Sequence, residues 1–199
     1  MNTLVVWDID DVLNPLMHEW LKHQKSTKRI DPSFSYESLI DPDFSQTLKW
    51  GRNSFLESLD EFRLQFQSKL LPNRMIQNWF ENQSKIQIKH VALTATPRVV
   101  SEISRNWLQV NFGTHITDFF LAPSARDNDD LPRMTKLDFY QQFTTEFKQV
   151  IAIDDRQDNL ANAKTAGAST LCWPQPWNDS LLDSEETLKA LSRMIFERS

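Results

Sequence analysis

The stretch Leu4-Val5-Val6-Trp7-Asp8-Ile9-Asp10-Asp11-Val12-Leu13 decides how this chain is to be read. Its first four residues are apolar with no polar alternation, which suits a strand buried on both faces, as in a parallel sheet. The run stops at Asp8, and Asp10 and Asp11 follow at once. Carboxylates this close repel one another and raise each other's pKa unless a cation joins them. Taken alone, the stretch also reads as a solvated turn after a strand, because Asp is common in turns.

Four more apolar runs stand further along the chain, at residues 91–93, 119–121, 150–153 and 170–173, each followed by polar or turn residues. Helical patterns separate them. Val99, Ile103, Trp107 and Val110 recur after Pro97, and Leu160, Ala163 and Ala166 precede Gly167, a plausible helix stop. Thr135 with Asp138 predicts a capping box for the helix holding Leu137 and Tyr140, and Leu188, Leu191 and Ile195 mark the last helix. Strands alternating with helices predict a doubly wound, mostly parallel, Rossmann-like α/β sheet.

Such sheets bind ligands at the carboxyl ends of their strands. There the first strand brings Asp8 and Asp10, the second Thr94-Ala95-Thr96, and the fourth Asp154 and Asp155. Two acidic pairs at equivalent strand ends make a coincidence of turns a poor explanation. Hard oxygen donors without His or Cys favour Mg²⁺ over zinc or copper. Phosphoryl transfer needs a nucleophile, cations around the equatorial oxygens and a proton donor. A carboxylate supplies the first by forming an aspartyl-phosphate. Thr94 offers a hydroxyl beside backbone N–H groups, and Lys136 a positive charge at the start of its helix. Each of these two, considered singly, reads more simply as a strand-end cap and a surface lysine.

Residues 14–82, between the first two strands, contain no convincing strand. They hold Trp20, turn signals at Asp31, Asp41 and Asp43, and an amphipathic segment with Phe55, Leu59, Phe62 and Phe66 on one face. Ser54 and Glu57 predict a capping box for that segment. The connection is too long for a simple crossover. The expected organisation is an α/β core of residues 1–13 and 83–199 with a small helical cap of residues 14–82. Trp20, Phe34, Tyr36, Trp50 and Arg52 of the cap are candidates to stack on a base or grip a distal group, although aromatics are more often structural.

Composition excludes little and guides a few expectations. The 199 residues are 40% hydrophobic and 25% charged, ordinary for a soluble globular domain. A net charge of −5 without a basic run argues against a general nucleic-acid binder. The single cysteine, Cys172, makes no internal disulfide and fits a reducing compartment. The first apolar run is too short for a signal-peptide core or a membrane span. A cytoplasmic protein with no membrane contact is the expectation; oligomeric state is left open.

The motifs resemble those of the haloacid dehalogenase (HAD) superfamily. Val-Val-Trp-Asp8-Ile-Asp10-Asp11-Val-Leu looks like its first motif, Val-Ala-Leu-Thr94-Ala-Thr96-Pro like its second, and Val-Ile-Ala-Ile-Asp154-Asp155 like its acidic fourth, with Lys136 where the third motif's lysine belongs. The resemblance implies a Mg²⁺-dependent phosphatase. Asp8 is then nucleophile and metal ligand, and Asp10 acid, later base, and a ligand through its backbone carbonyl. Thr94 and Lys136 hold the phosphoryl group, Asp154 is a direct ligand, and Asp155 a water-mediated ligand or an orienting group. Asp at position 10 favours phosphate esters, because dehalogenase members lack that acid. Asp11 departs from the pattern, where many members have Gly. The run Asp154-Asp155-Arg156 is similar to that of 5′(3′)-deoxyribonucleotidases and of phage-type polynucleotide 3′-phosphatases. The implied substrate is thus a nucleotide or other small phosphorylated metabolite. A phosphorylated polynucleotide end is the alternative, and a non-catalytic binding protein a further one.

Overall fold

The computed structural model describes residues 2–41, 43–83, 88–124, 126 and 133–196. Five strands, β1 (Thr3–Trp7), β2 (Lys89–Thr94), β3 (Asp118–Leu121), β4 (Gln149–Asp154) and β5 (Ser169–Cys172), form one parallel sheet in the order β3-β2-β1-β4-β5. Each predicted apolar run lies within or overlaps one of them. From β1 the chain first builds outward through β2 and β3, then returns to the other side of β1 for β4 and β5. The reversal lies between β1 and β4, and at such a point the crossovers diverge and leave a crevice at the carboxyl ends.

Alternation along the strands divides the interior. Val5 and Trp7 join Ala92, Ile151 and Ile153 on one face, whereas Leu4 and Val6 join Val91, Leu93 and Ala152 on the other. The first face is covered by α4 (Arg74–Glu81), α5 (Arg98–Phe112) and α8 (Ser184–Phe196), and the second by α6 (Lys136–Glu146) and α7 (Gln157–Thr165). Both faces are dry, which explains the uninterrupted apolar runs. Thr135 and Asp138 form the predicted capping box at the start of α6.

The connection between β1 and β2 holds α1 (Leu16–Ser26), a short α2 (Phe44–Thr47) and α3 (Arg52–Phe66) before α4. These first three helices wrap a separate aromatic core with Trp20, Phe44, Phe55, Leu59 and Phe62 at its centre. By contrast, Ile76, Trp79 and Phe80 of α4 pack with Trp7 and Phe112 against the sheet. The junction after α4, at residues 84–87, lies outside the described residues. One expectation fails: α3 starts at Arg52, with extended Gly51 as its cap and no side-chain cap bond, so Ser54 and Glu57 fall inside the helix. Gly51 is itself extended, and the helix begins three residues earlier than a Ser54 cap would have it.

Candidate active site

Asp8 follows β1 directly, and its N–H donates to the Ile153 carbonyl at 2.9 Å, so the backbone pairing of β1 with β4 continues into the acidic turn. Asp154 ends β4, and Asp155 follows it. The three carboxylates of Asp8, Asp154 and Asp155 each offer an oxygen within 4.8 Å of the other two, and all three side chains are buried.

Lys136, the first residue of α6, reaches into this group. Its Nζ donates to Asp8 Oδ1 and to Asp154 Oδ2, both at 2.7 Å. Burial works against the lysine's charge, but Asp154 and Asp8 outweigh it and hold its pKa above the ordinary range. Burial also pushes Asp8 well above the usual carboxylate pKa; Lys136 opposes this, while Asp154 and Asp155 add to it. Asp155 is raised likewise, by burial and then by Asp154 and Asp11. One ammonium thus faces three buried carboxylates, and a hard cation fits what remains. The donor set is all oxygen, as Mg²⁺ requires.

The carboxylates are held from behind. Asp154 Oδ1 accepts from the Arg156 N–H at 2.9 Å and from Asn159 Nδ2 at 3.0 Å. Asp155 Oδ2 accepts from Trp177 Nε1 at 2.7 Å, and its carbonyl from Asn178 Nδ2 at 2.8 Å. Asp11 sits at φ 62°, the left-handed region where Gly is easiest and Asp is among the tolerated residues. Its carboxylate accepts the Met17 N–H at 2.8 Å and ties the turn to α1. The turn geometry expected of a glycine is therefore kept, at the cost of one more buried acid.

Asp10 is not one of these three clustered carboxylates, and its side chain meets the insertion. Its Oδ2 accepts from Arg63 at 2.7 Å, and Asn14 Nδ2 lies 3.3 Å from Oδ1. Arg63 also bonds Asp60 at 3.2 Å, and Arg126 donates to the same Asp60 oxygen. Thr94 is buried at the end of β2, where its Oγ1 accepts the Thr96 N–H at 3.3 Å. The Thr96 hydroxyl is buried with no hydrogen-bond partner among the described residues.

Asp8, Asp10, Asp155, Lys136, Thr94 and Thr96 line one cavity of about 600 Å³, and Asp154 adjoins it through its contacts with Lys136 and Asp155. Asp8, Asp10, Thr94 and Lys136 form its floor, Phe44, Phe55, Leu56 and Leu59 an apolar wall from the insertion, and arginines (Arg52, Arg126, Arg156) together with acids (Asp41, Asp43, Asp158) a margin of mixed charge. The structure thus brings Asp8, Lys136, Asp154 and Asp155 into direct contact or near contact, and places Asp10 and Thr94 beside them. Of the five cap candidates, Trp20 is fully buried and donates to Ser58, while Phe34, Tyr36 and Trp50 pack against the insertion core; Arg52 alone of the five reaches the cavity.

Two residues were not singled out from the sequence. Arg63 lies on the same α3 stripe as Phe55, Leu59 and Phe62, and a charge on a buried stripe was the available signal. Trp177 belongs to a loop whose Trp content was evident but whose hydrogen bond was not.

No family model and no curated protein matches the chain. Among solved structures, 110 chains match. A haloacid dehalogenase-like hydrolase from Streptococcus pneumoniae is 13% identical with a TM-score of 0.62, covering 97% of this chain and 98% of that one. The protein described as a HAD-hydrolase, YfnB, from Bacillus subtilis, solved bound to magnesium, is 11% identical with a TM-score of 0.61, over 98% and 99% of the two chains. CbbY from Rhodobacter sphaeroides, solved as a mutant with xylulose 1,5-bisphosphate, is 14% identical with a TM-score of 0.51, over 87% of each. At such identities the likeness is one of fold. The chain has the fold of the haloacid dehalogenase-like hydrolases.

Proposed function

We propose that this chain is a Mg²⁺-dependent HAD-type phosphatase that cleaves a small organic phosphate monoester through a phosphoryl group carried on Asp8. The observation that carries the reading is the placement of Lys136 Nζ between Asp8 and Asp154, with Asp155 adjoining, at the carboxyl edge of β1 and β4. A solvated turn or a helix cap needs no buried lysine, and a non-catalytic scaffold has no reason to retain three buried acids around one.

Asp8, Asp154 and Asp155, with the Asp10 carbonyl, would hold Mg²⁺, which when bound offsets the negative charge of the carboxylates and of the phosphoryl oxygens. One Asp8 oxygen attacks phosphorus in line, and the bond from phosphorus to the ester oxygen breaks. Asp10 gives a proton to the departing alcohol, which leaves neutral. Lys136 and the Thr94 hydroxyl hold the equatorial oxygens, where charge gathers in the transition state. Water then attacks the phosphorus of the aspartyl-phosphate, Asp10 takes its proton, and the bond to Asp8 breaks to release inorganic phosphate.

A cavity of about 600 Å³ with one apolar wall and arginines among its charged lining suits a small organic phosphate such as a nucleotide or a sugar phosphate. The CbbY complex, with its xylulose bisphosphate, supports a small phosphorylated substrate, and the magnesium-bound Bacillus subtilis structure supports the metal. The net charge of −5 weighs against a polynucleotide end. Residues 14–82 act as the cap in this reading, with α4 serving also as a helix of the core.

Phosphate release with Mg²⁺ is to be measured across 5′- and 3′-nucleotides, sugar phosphates and a 3′-phosphorylated oligonucleotide. Release from a small monoester, abolished by chelator and restored by Mg²⁺, is expected. Release from the oligonucleotide alone would assign the chain to the polynucleotide reading, and no release from any substrate would favour the binding protein.

A further inference from the structure

Trp177 is the point where the insertion touches the acidic group. It lies in the loop between β5 and α8, outside the insertion in sequence, yet it is buried in the insertion's aromatic core. The ring of Phe44 meets it edge to face at 4.9 Å between centroids, and that of Tyr36 at 5.8 Å. Its indole N–H donates at 2.7 Å to Asp155 Oδ2. The same loop makes a second tie: the Tyr36 hydroxyl donates to Gln175 Oε1 at 2.7 Å, and Gln175 Nε2 donates to the Asp11 carbonyl. One loop therefore bonds to both acidic turns while its aromatic side chain is clamped by residues from the first half of the insertion.

We propose that Trp177 is a positioning residue that sets the Mg²⁺ affinity of the site by orienting Asp155, and that packing of the insertion around its ring transmits to the metal. The inference rests on the assignment of Asp155 to the metal group made above. A carboxylate held by an outer hydrogen bond presents a fixed oxygen to a cation, and loss of such a bond typically weakens metal binding by about 10- to 100-fold. Indole suits this place because it supplies a single donor and no acceptor, so it bonds the ionised carboxylate without competing for the metal. Its large apolar body satisfies the insertion core at the same time.

The test is Mg²⁺ titration by calorimetry on the full chain without substrate, alongside thermal unfolding in chelator. Trp177→Phe keeps a ring for Phe44 and Tyr36 but removes the donor. Its Mg²⁺ affinity is expected to fall about tenfold or more. A purely structural role would lower the unfolding temperature and kcat and leave Mg²⁺ affinity unchanged, and that outcome overturns the proposal. Phe44→Leu retains the donor and loosens only the clamp; a weaker, few-fold loss of Mg²⁺ affinity is expected, and none would sever the insertion from the metal. If Trp177→Phe does not fold, Phe44→Leu decides. A native chain that binds no Mg²⁺ overturns both this proposal and the function it rests on, whereas equal affinities in native and variant chains overturn this one alone.

Discussion

The carboxyl edge of the sheet and the helical insertion border the same cavity, but they hold their polar groups by different means. At the sheet edge, Asp8 and Asp154 are placed by backbone pairing of adjacent strands and Lys136 by the first residue of a capped helix. The insertion acts at a distance, through single side chains: Arg63 stretches from α3 to Asp10, and the insertion core grips Trp177, which holds Asp155. Backbone-fixed groups have few ways to move, so changing them removes chemistry. Groups carried on long side chains from a separate core shift with that core, so changing them alters affinity and alignment. On the proposed function, reaction would belong to the sheet edge and adjustment to the insertion.

Asp8→Asn gives the largest expected effect: a loss of at least about a thousandfold in phosphate release. Thermal stability should be kept or raised, because a buried acid whose pKa burial has raised is replaced by a neutral amide. Retention of activity would remove the distinction between the two regions at its base. Lys136→Met comes next. It leaves Asp8, Asp154 and Asp155 buried without their counter-charge. Unfolding by urea in chelator should show a loss on the order of 3 kcal/mol, much of it regained on adding Mg²⁺. A loss that Mg²⁺ does not relieve would mean that the lysine and the metal do not share the same carboxylates.

Arg63→Met tests the insertion's side. With its hold on the Asp10 carboxylate gone, kcat/KM should fall by about 10- to 100-fold, while Mg²⁺ affinity, which rests on the other acids and the Asp10 backbone carbonyl, stays near native. A fall as deep as that of Asp8→Asn would place Arg63 in the chemistry itself.

How much of this was legible in the sequence follows the same division. Residues 4–7 and 150–153 read as buried strands because both sheet faces are dry, and the acids at their ends needed only strand direction to be gathered. Thr135 and Asp138 read as a capping box because that signal is local. In the insertion the stripe of Phe55, Leu59 and Phe62 was readable, since helical period is local too, but the start of α3 was not, because Gly51 caps by backbone conformation alone. The bonds from Arg63 to Asp10 and from Trp177 to Asp155 span 53 and 22 positions and carry no periodic trace. Asp11 looked anomalous in place of Gly until its positive φ and its bond to Met17 accounted for it.

A control for the core away from the cavity gives the smallest effect. His90 is buried beside Trp7, whose Nε1 donates to its Nδ1 at 3.2 Å. Burial, with His115 adding, pushes its pKa down to about 4 from an ordinary 6.5. Between those values the unfolded chain binds the proton and the folded chain does not, so the histidine's contribution is present above 6.5 and is lost as pH falls toward 4. The loss from this residue between pH 7 and pH 5 is roughly 2 kcal/mol. Urea unfolding of native and His90→Gln chains at the two pH values should differ by about that amount; parallel changes would show that His90 is not held neutral.

The central claim is that Asp8 carries the phosphoryl group. The most direct test is to quench turnover of the best substrate in acid, digest the protein, and weigh the peptide containing Asp8. A fraction heavier by one phosphoryl group (HPO₃), localised to Asp8 and absent without Mg²⁺, is the result the account predicts. A chain that releases phosphate under the same conditions with every peptide unmodified, or with the phosphoryl group on another residue, would contradict it.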